Sequence, residues 1–374
     1  MKRKYFYIAA LLLLFCKLPA CGQQVVDGPY VSYRNEKVKV TTIEKDDDLL
    51  LPKMQVYPNR QNISLKITPE GHPEWAFSVK LRDTLINDPV SYAASPKTLF
   101  MSDIEGEFGP FRKMLLAAGV IDTAYSWTYG KNSLVIPGDL FDRGRDVVPE
   151  LWLLYKLEDE ARVAGGHSII ILGNHDVMNL SGDHRYTDGK YFKNAWLFGR
   201  EIDDLFGKDT ELGRWLRSKN TLIKTGDVLV MHGGLSPELL ARKQSIAIVD
   251  AECRAYCDVE TDSIPDSLQV FFGRNALFWY RGYFLRPKAT MSLVDSTLQF
   301  YCSKYILVGH TIVKWNIASY YGGKIIGIDV DEHTGHTEAA LYEKGKWYVL
   351  DVDGRKSSLK YKPKNDRVKE EDIL

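Results

Sequence analysis

Residues 135–144 read Val-Ile-Pro-Gly-Asp-Leu-Phe-Asp-Arg-Gly, and residues 169–176 read Ile-Ile-Ile-Leu-Gly-Asn-His-Asp. Each stretch is an apolar run that passes through glycine into polar residues. This pattern is typical of a buried parallel strand that carries side chains to the carboxyl edge of a sheet. Four of the polar residues are metal ligands or acid–base groups by type: Asp139, Asp142, Asn174 and His175. Two such strand ends joined by a helix-length segment favour a functional site over two ordinary core strands.

Three further apolar runs end in the same way. They are residues 98–102 before Asp103, residues 228–231 before His232, and residues 305–309 before His310. Because parallel strands present their carboxyl ends at one edge of a sheet, we expect these side chains to converge.

In chain order the motifs are Asp-x-x-Gly, Gly-Asp-x-x-Asp-Arg-Gly, Gly-Asn-His-Asp, His-Gly-Gly and Gly-His. This order resembles the calcineurin-like metallophosphoesterases. Residues 138–144 and 232–239 narrow the resemblance to the phosphoprotein phosphatase branch, and residues 174–186 are similar to the Shewanella-like phosphatases within it. The resemblance covers residues 97–345. It implies an α/β fold, a two-sheet metallophosphoesterase sandwich flanked by helices.

The pattern inside this region predicts alternating strands and helices. Apolar spacing favours helices over 108–119 and 146–165, and strands over 133–137 and 168–172. A strand–helix–strand order implies right-handed parallel crossovers. Residues 324–351 are expected to form closing antiparallel strands.

The chain outside this region divides into three further parts. Residues 1–20 are expected to be a signal peptide. Residues 21–96 read as a tether and a small β-rich extension packed on the catalytic domain, which spans 97–352. Residues 353–374 are highly charged and are expected to be a solvated tail.

The first twenty residues have the features of a targeting segment. A basic start at Lys2–Lys4 precedes an apolar core at 5–15 that is too short to span a bilayer. Leu-Pro-Ala-Cys at 18–21 resembles a bacterial lipobox, with Cys21 as the lipid-bearing residue. We therefore expect a lipid-anchored, extracytoplasmic protein of the bacterial cell envelope. The alternative is a plain secretory signal followed by a chance cysteine.

Charge and cysteine content restrict the remaining possibilities. Removal of residues 1–20 leaves 45 basic and 49 acidic residues, a formal charge of −4, which gives no reason to expect a nucleic-acid partner. Cys253 and Cys257 lie four residues apart. In an oxidising compartment they either form a local disulfide or remain free thiols.

The resemblance implies two divalent metal ions. Asp139 would bridge them, since one carboxylate can bind both ions. Asp103 and the residue at 105 would complete the first metal site. Three other residues would complete the second: Asn174, His232 and His310. A hydroxide held by the metals would then attack phosphorus in line.

The same resemblance assigns the acid and the phosphate-binding groups. His175 would protonate the leaving oxygen, with Asp142 holding its imidazole charged and correctly turned. Arg143 and Arg281 would clamp phosphate oxygens, because a guanidinium matches two of them at once. Substrate contacts from Asn174 and Arg185 are also expected. The alternative for any single arginine is a surface ion pair.

One residue departs from the family pattern. The family motif is Gly-Asp-x-His-Gly, whereas residues 102–106 read Ser-Asp-Ile-Glu-Gly. Glu105 sits two residues after Asp103, so on an extended strand end the two side chains would share one side. We expect Glu105 to ligate the first metal and to favour manganese or magnesium over zinc or iron. The alternative is that Glu105 turns outward and the first metal is absent.

The remaining histidines lack a partner motif. His333 and His336 are three residues apart, but we expect solvated or core side chains rather than a metal site. The function implied is hydrolysis of phosphomonoesters, with phosphoserine, phosphothreonine or phosphotyrosine in proteins as substrates. One alternative is a hydrolase of small phosphate esters or dinucleoside polyphosphates. Another is a catalytically weak envelope protein that binds a phosphate ligand.

Overall fold

The computed structural model describes residues 24–313 and 316–362. The predicted signal peptide, Cys21 and residues 363–374 of the predicted tail lie outside these ranges. Within them, every helix is too short or too polar to cross a membrane.

The described residues form strands in this order: β1 (Gln24–Arg34), β2 (Lys37–Asp46), β3 (Leu49–Tyr57), β4 (Ser64–Ile67), β5 (Phe77–Lys80), β6 (Ser91–Tyr92), β7 (Lys97–Phe100), β8 (Ser133–Pro137), β9 (His167–Ile171), β10 (Leu222–Thr225), β11 (Val228–Met231), β12 (Tyr305–Val308), β13 (Ala318–Tyr320), β14 (Ile325–Gly327), β15 (Glu338–Glu343), β16 (Lys346–Asp351), β17 (Lys356–Ser358) and β18 (Lys360–Tyr361).

The α-helices in the same ranges are α1 (Phe108–Ala117), α2 (Val147–Val163), α3 (Asn174–Leu180), α4 (Gly189–Phe198), α5 (Glu211–Leu216), α6 (Pro237–Ala241), α7 (Ile246–Tyr256) and α8 (Met291–Phe300). Short 3-10 turns cover Pro73–Trp75, Ile202–Phe206, Thr261–Ser263, Asp266–Phe271 and Glu332–Thr334.

Two large sheets form the centre of the structure. One has the order β17-β16-β15-β7-β8-β9, and the other has the order β18-β13-β14-β12-β11-β10-β6. The aromatic rings of Tyr305 on β12 and Trp347 on β16 lie 5.5 Å apart, so the two sheets contact each other through their side chains. The predicted α/β two-sheet architecture is confirmed.

Parallel pairing positions the strand ends that carry polar residues. β7 pairs in parallel with β8, and β8 with β9, with α1 and α2 as the connecting helices. In the second sheet, β11 pairs in parallel with β12. The prediction of parallel crossovers is confirmed. β14 differs from the expected antiparallel arrangement, because it pairs in parallel with β12 and antiparallel only with β13.

Helix α2 is buried on more than one face. The predicted apolar stripe is buried, and Trp152, Leu153 and Tyr155 are buried as well. An amphipathic helix normally keeps one whole face in water, so burial on more than one face indicates a second covering layer. The layer is the sheet β1-β2-β3, from which the Pro29 carbonyl accepts a 2.8 Å hydrogen bond from Trp152 Nε1. The strands of this sheet lie between residues 24 and 57, within the range expected to be a β-rich extension, and they pack on this helix.

Part of the predicted charged tail pairs with the two large sheets, and two buried cysteines remain unbonded. Residues 356–358 and 360–361 pair with the edges of the two sheets, so this part of the predicted tail is attached although it is exposed. Cys253 and Cys257 are buried and unbonded, on and directly after α7. The free-thiol alternative therefore describes them.

Candidate active site

The predicted polar residues converge at one edge of the two sheets. Asp103 follows β7, Asp139 follows β8, and Asn174 begins the helix after β9. His232 directly follows β11, and His310 lies two residues after β12. All five side chains are buried. Convergence of the strand ends thus assembles a polar cluster in which every member needs a partner.

The loops that carry these residues have a rarely used backbone conformation. Positive φ angles occur at Asp103 (55°), Glu105 (46°), Asp139 (54°) and His310 (63°). Non-glycine residues adopt this left-handed region at a cost, and such residues cluster at functional sites. Strand β7 ends at Phe100. The expectation that Asp103 and Glu105 lie on one side of an extended strand is therefore wrong, because a tight turn directs both side chains.

Glycines next to the carboxylates provide the necessary room. A Cβ atom on Gly173 would lie 2.2 Å from Asp139 Oδ1, and one on Gly309 would lie 2.4 Å from Asp103 Oδ2. Any side chain at either position would displace a carboxylate. The absence of a Cβ is what allows backbone and carboxylate to approach this closely.

Asp176 holds two of the loops together, a role that the sequence motif alone did not reveal. Its Oδ2 accepts hydrogen bonds from the backbone N–H of Gly173 at 2.7 Å and of Asp139 at 3.1 Å. Its Oδ1 accepts one from Leu140 N–H at 2.9 Å. A fully buried carboxylate thus fixes the position of Asp139 relative to α3.

His232 faces two other predicted ligands. Its Nδ1 lies 2.8 Å from the Pro137 carbonyl, which can only accept, so Nδ1 carries a proton. Its Nε2 lies 3.0 Å from Asp139 Oδ2 and 2.9 Å from Asn174 Oδ1. Burial lowers the pKa of His232, but the charges of Asp139 and Asp103 outweigh it and raise the pKa to about 9.

His310 presents an unused nitrogen. Its Nε2 is buried and has no hydrogen-bond partner among the described residues. Burial, with the nearby charges of Arg281 and His232, lowers its pKa well below the ordinary value, so the ring is neutral. A neutral imidazole with a free lone pair is suited to bind a metal ion. Ligand atoms of His310, His232 and Asp139 lie within 4.8 Å of one another.

Asp139 also belongs to a second group of close ligand atoms. This group joins it to Glu105 and His175, again within 4.8 Å. Membership of both groups fits the bridging role expected of Asp139. His175 was expected to be an acid, and the structure also places a ring nitrogen of His175 among possible metal ligands.

Asp103 lies beside these groups rather than within them. Its carboxylate accepts hydrogen bonds from Ser102 Oγ at 2.5 Å and from His310 N–H at 3.2 Å. Burial raises its pKa, His232 lowers it, and the charges of Asp139 and Glu105 raise it further, to about 7. Buried carboxylates this close to one another need positive charge. The donor set therefore fits divalent cations.

His175 and Asp142 form the expected pair. Nδ1 of His175 lies 2.6 Å from Asp142 Oδ2. Burial lowers the pKa of His175, but Asp139, the hydrogen bond with Asp142, and Glu105 together raise it to about 9. Asp142 Oδ1 accepts hydrogen bonds from Asn179 Nδ2 at 2.7 Å and from Thr187 Oγ1 at 2.8 Å. Asn179 and Thr187 hold Asp142 in place, and the sequence analysis gave neither a role.

Glu105 is buried and points into the cluster rather than outward. Its Oε2 accepts a hydrogen bond from Arg143 Nη1 at 2.5 Å and lies 2.6 Å from His333 Nε2. The other ring nitrogen of His333 lies 3.0 Å from Glu107 Oε1. His333 is exposed, as expected of a solvated histidine, but the loop before β15 also brings its ring to Glu105, a contact that the sequence did not indicate. His336 has no such contact in the described part of the chain.

The predicted phosphate-binding arginines occupy different positions. Arg143 is paired with Glu105, and Arg281 Nη1 donates to the His310 carbonyl at 2.7 Å. Arg185 is largely exposed and paired with Asp183. Arg185 and Arg281 line a cleft of about 920 Å³ together with Asn174. Arg185 therefore belongs to the wall of this cleft and not to the ligand cluster.

Known proteins resemble this chain both in sequence and in fold. Residues 96–314 match the family model described as calcineurin-like phosphoesterase. The crystal structure of a cold-active protein-tyrosine phosphatase from a psychrophilic Shewanella species is similar, with a TM-score of 0.80 and 32% identity, covering 89% of this chain and 99% of that one.

Two relatives known by sequence differ in how much they match. Shewanella-like protein phosphatase 2 of Arabidopsis thaliana is 25% identical over 282 residues, which is 63% of this chain and 71% of the relative. A symmetrical bis(5'-nucleosyl)-tetraphosphatase of Buchnera aphidicola is 30% identical over 143 residues, only 38% of this chain and 45% of the relative.

Proposed function

Because the chain belongs to the calcineurin-like phosphoesterase family, we propose that it removes phosphate from phosphotyrosine in proteins with the help of two divalent metal ions. Its phosphatase activity follows from the family and from the named phosphatase relatives, and the predicted function is confirmed to that level. The choice of tyrosine is supported by the similar structure from Shewanella, which is a protein-tyrosine phosphatase. The match includes 99% of that protein's chain.

The observation that carries the proposal is the pairing of His175 with Asp142 next to the ligand cluster. The pair lies 2.6 Å apart, and in the metal-free protein the charge of Asp139 and the hydrogen bond with Asp142 raise the pKa of His175, which favours the protonated ring. A charged imidazole held in one orientation is an effective donor of a proton to a leaving oxygen. We assign this role to His175 and assign to Asp142 the fixing of the ring.

The chain's own residues define where the metals would be held. Asp139, His232, His310 and Asn174 would hold one ion, and Asp139 with Asp103 and Glu105 would hold the other. When bound, such ions neutralise phosphate oxygens and activate water. A glutamate at position 105 supplies a hard oxygen donor, which supports manganese or magnesium at the first site.

Two arginines are placed to bind the phosphate. Arg281 lies at the cleft with its guanidinium anchored on the His310 carbonyl, and Arg143 lies next to Glu105. The Arg143 side chain is 39% exposed, so a phosphate can reach its guanidinium from the solvent side while Nη1 stays on the buried Glu105. Guanidinium groups bind phosphate through paired hydrogen bonds, which also orient it.

A panel assay tests the proposal. Phosphotyrosine, phosphoserine and phosphothreonine peptides, p-nitrophenyl phosphate and a dinucleoside tetraphosphate would each be supplied with manganese, magnesium, zinc or iron. We expect the highest kcat/KM on phosphotyrosine peptides with manganese or magnesium. Higher kcat/KM on the dinucleotide or on small esters would overturn the protein substrate.

Two other possibilities have less support. The dinucleoside tetraphosphatase relative matches only 38% of this chain, and no contact in the described residues favours two nucleotides. A phosphate-binding protein without catalysis does not agree with the family and the phosphatase relatives.

We also propose that the enzyme is anchored by lipid on Cys21 at the bacterial cell envelope, on the extracytoplasmic side. The support is the sequence of residues 1–21 alone.

A further inference from the structure

The cleft beside the ligand cluster is larger than a phosphate group requires. Its volume of about 920 Å³ lies near the top of the range for ligand pockets, roughly 300–1,000 Å³. Four arginines line it: Arg185, Arg274, Arg281 and Arg286. Among the described lining residues, Asp183 is the one acidic side chain. The cleft therefore carries an excess of positive charge beyond what one phosphate would use.

Two of the four arginines already have partners. Arg185 is paired with Asp183, and Arg281 donates to the His310 carbonyl. Arg274 and Arg286 are exposed and have no hydrogen bond or ion pair with any residue in 24–313 or 316–362. These two guanidinium groups are thus available to a ligand that enters the cleft.

Backbone hydrogen bonds fix residues 282–289, the segment that carries Arg286, relative to Arg281. Leu285 N–H donates to the Arg281 carbonyl at 2.9 Å, and Ala289 N–H donates to the Gly282 carbonyl at 2.6 Å. These bonds close a turn that contains Arg286. Arg274 lies inside a similar turn, in which Ala276 N–H donates to the Gly273 carbonyl at 2.8 Å. Two free cations are therefore presented on ordered turns on either side of Arg281 in the sequence.

We propose that Arg274 and Arg286 bind a second anionic group of the substrate, a carboxylate or a second phosphate, close to the phosphorylated residue of the peptide. This inference rests on the proposed function. Met178, Phe272 and Leu285 line the same cleft and offer apolar contact to the rest of the peptide. A guanidinium pairs with a carboxylate or a phosphate through charge-assisted hydrogen bonds, so the two arginines select for charge next to the phosphorylated side chain.

The experiment compares phosphotyrosine peptides that differ only beside the phosphotyrosine. One peptide carries neutral neighbours, one carries glutamates and one carries a phosphoserine. We expect wild-type kcat/KM to be higher for both anionic peptides than for the neutral one, through a lower KM. Arg274→Gln and Arg286→Gln should each reduce this ratio about tenfold, the effect of one lost charge-assisted bond. Arg34→Gln is the matched control, since Arg34 is exposed and does not line the cleft.

The outcomes separate this inference from the proposed function. If wild type hydrolyses all peptides equally well, or if both variants keep the wild-type ratio, the second anion site is refuted while the protein substrate stands. If p-nitrophenyl phosphate is hydrolysed and no peptide is, the protein substrate itself fails. A preference for only the glutamate or only the phosphoserine peptide identifies which anion the site binds.

A different observation carries a second inference. Glu105 Oε2 has two neighbours, Arg143 Nη1 at 2.5 Å and His333 Nε2 at 2.6 Å, while Glu105 Oε1 lies 3.7 Å from His175 Nε2. His333 is itself held by Glu107 through its other ring nitrogen. Both ring nitrogens thus face carboxylate oxygens. Arg143 and His333 thus both contact Oε2 of Glu105, whereas Oε1 faces the ligand cluster on the side of His175.

We infer that His333 is a positioning residue that turns Glu105 Oε1 toward the first metal. Residues that hold a metal ligand from behind commonly change metal affinity about 10–100-fold when they are removed. His333 reaches Glu105 from the 3-10 turn before β15, far away in the sequence. A glutamate has more rotatable bonds than the histidine of the family motif, so a partner that holds its carboxylate reduces the conformational entropy lost when it binds an ion.

Titration calorimetry with manganese on the metal-free protein tests this role. His333→Ala should weaken one of two manganese sites about 10–100-fold and leave the other unchanged. His333→Gln, which retains one donor, should recover part of the affinity. His336→Ala serves as the control because it lies three residues away without contact to Glu105. Unchanged affinity in His333→Ala, or equal weakening of both sites, would refute the inference.

Discussion

Nδ1 of His175 lies 2.6 Å from Oδ2 of Asp142, and the other oxygen of that carboxylate is held by Asn179 and Thr187. The imidazole is therefore fixed on one side by an acid that cannot turn away. Its other nitrogen remains directed toward the cluster, 3.7 Å from Glu105.

Replacement of His175 tests whether this ring is an acid or a ligand. His175→Asn should lower kcat by about 10²–10⁴-fold, because the leaving oxygen loses its proton donor. Metal content, measured by elemental analysis, should remain at the wild-type level. The second group of ligand atoms contains His175. A parallel loss of metal and activity would therefore identify it as a ligand and remove its assignment as the acid.

The metal-free protein should show an unusual dependence of stability on pH. Burial and the neighbouring carboxylates raise the pKa of Asp103 to about 7, above the ordinary value of 3.8. The folded state then holds a proton that the unfolded state releases, so the contribution of Asp103 to stability falls as pH rises from about 4 to 7. Asp103→Asn removes this pH-dependent contribution to stability, because an amide does not titrate in this range.

Thermal or urea unfolding of the two metal-free proteins measures the difference. As the pH rises from 4 to 7, the free energy of unfolding of Asp103→Asn should increase relative to that of wild type. The increase should be at least about 1.4 kcal/mol, which corresponds to a shift of one pKa unit. Excess manganese should reverse the order, since the variant lacks a carboxylate for the ion. A stability difference that is independent of pH would mean that Asp103 does not hold its proton in the folded protein.

Glu105 should be a direct ligand of the first metal. Its carboxylate is buried among acids and lies within 4.8 Å of ligand atoms of Asp139 and His175. Glu105→Ala should lose one bound ion of two in metal analysis, and Glu105→His should raise affinity for zinc or iron relative to manganese. Two ions bound as tightly in Glu105→Ala as in wild type, with no gain of zinc in Glu105→His, would show that Glu105 only pairs with Arg143 and His333.

The lipid anchor is tested in cells. Cys21→Ser should release the protein from membranes into a soluble extracytoplasmic fraction, because the residue that would carry the lipid follows Leu-Pro-Ala at 18–20. Fractionation and metabolic labelling with a fatty acid analogue measure the change. A wild-type protein without label, or a variant that stays with the membrane, contradicts the anchor.

Much of the site could be predicted because its residues follow strand ends. Asp139, Asn174 and His232 come after apolar runs that pair in parallel, and parallel pairing fixes where a strand ends in space. The order of the five motifs then gave each of these residues a role. The helices α1 and α2 were also predicted to within a few residues, since their apolar spacing is regular and glycine follows each of them.

The residues that the sequence analysis missed are those that act on a motif residue from a distance along the chain. His333 lies 228 residues from Glu105, and Thr187 lies 45 residues from Asp142. Neither belongs to a periodic pattern or a motif, so no local signal distinguishes either from a surface residue. Arg274 and Arg286 were missed for the same reason, since only folding of the chain places them in the same cleft as Asn174.

The sequence by itself determined the fold class, the position of the cluster and the identity of its central carboxylate, because apolar periodicity and motif order are local properties of the chain. Tertiary structure alone decided the direction of each side chain. Asp103 and Glu105 face the cluster through left-handed turns and not through strand alternation, and Glu105 is held by His333 from a remote loop. Orientation depends on backbone angles and on partners brought together by packing, and neither can be deduced from residue spacing.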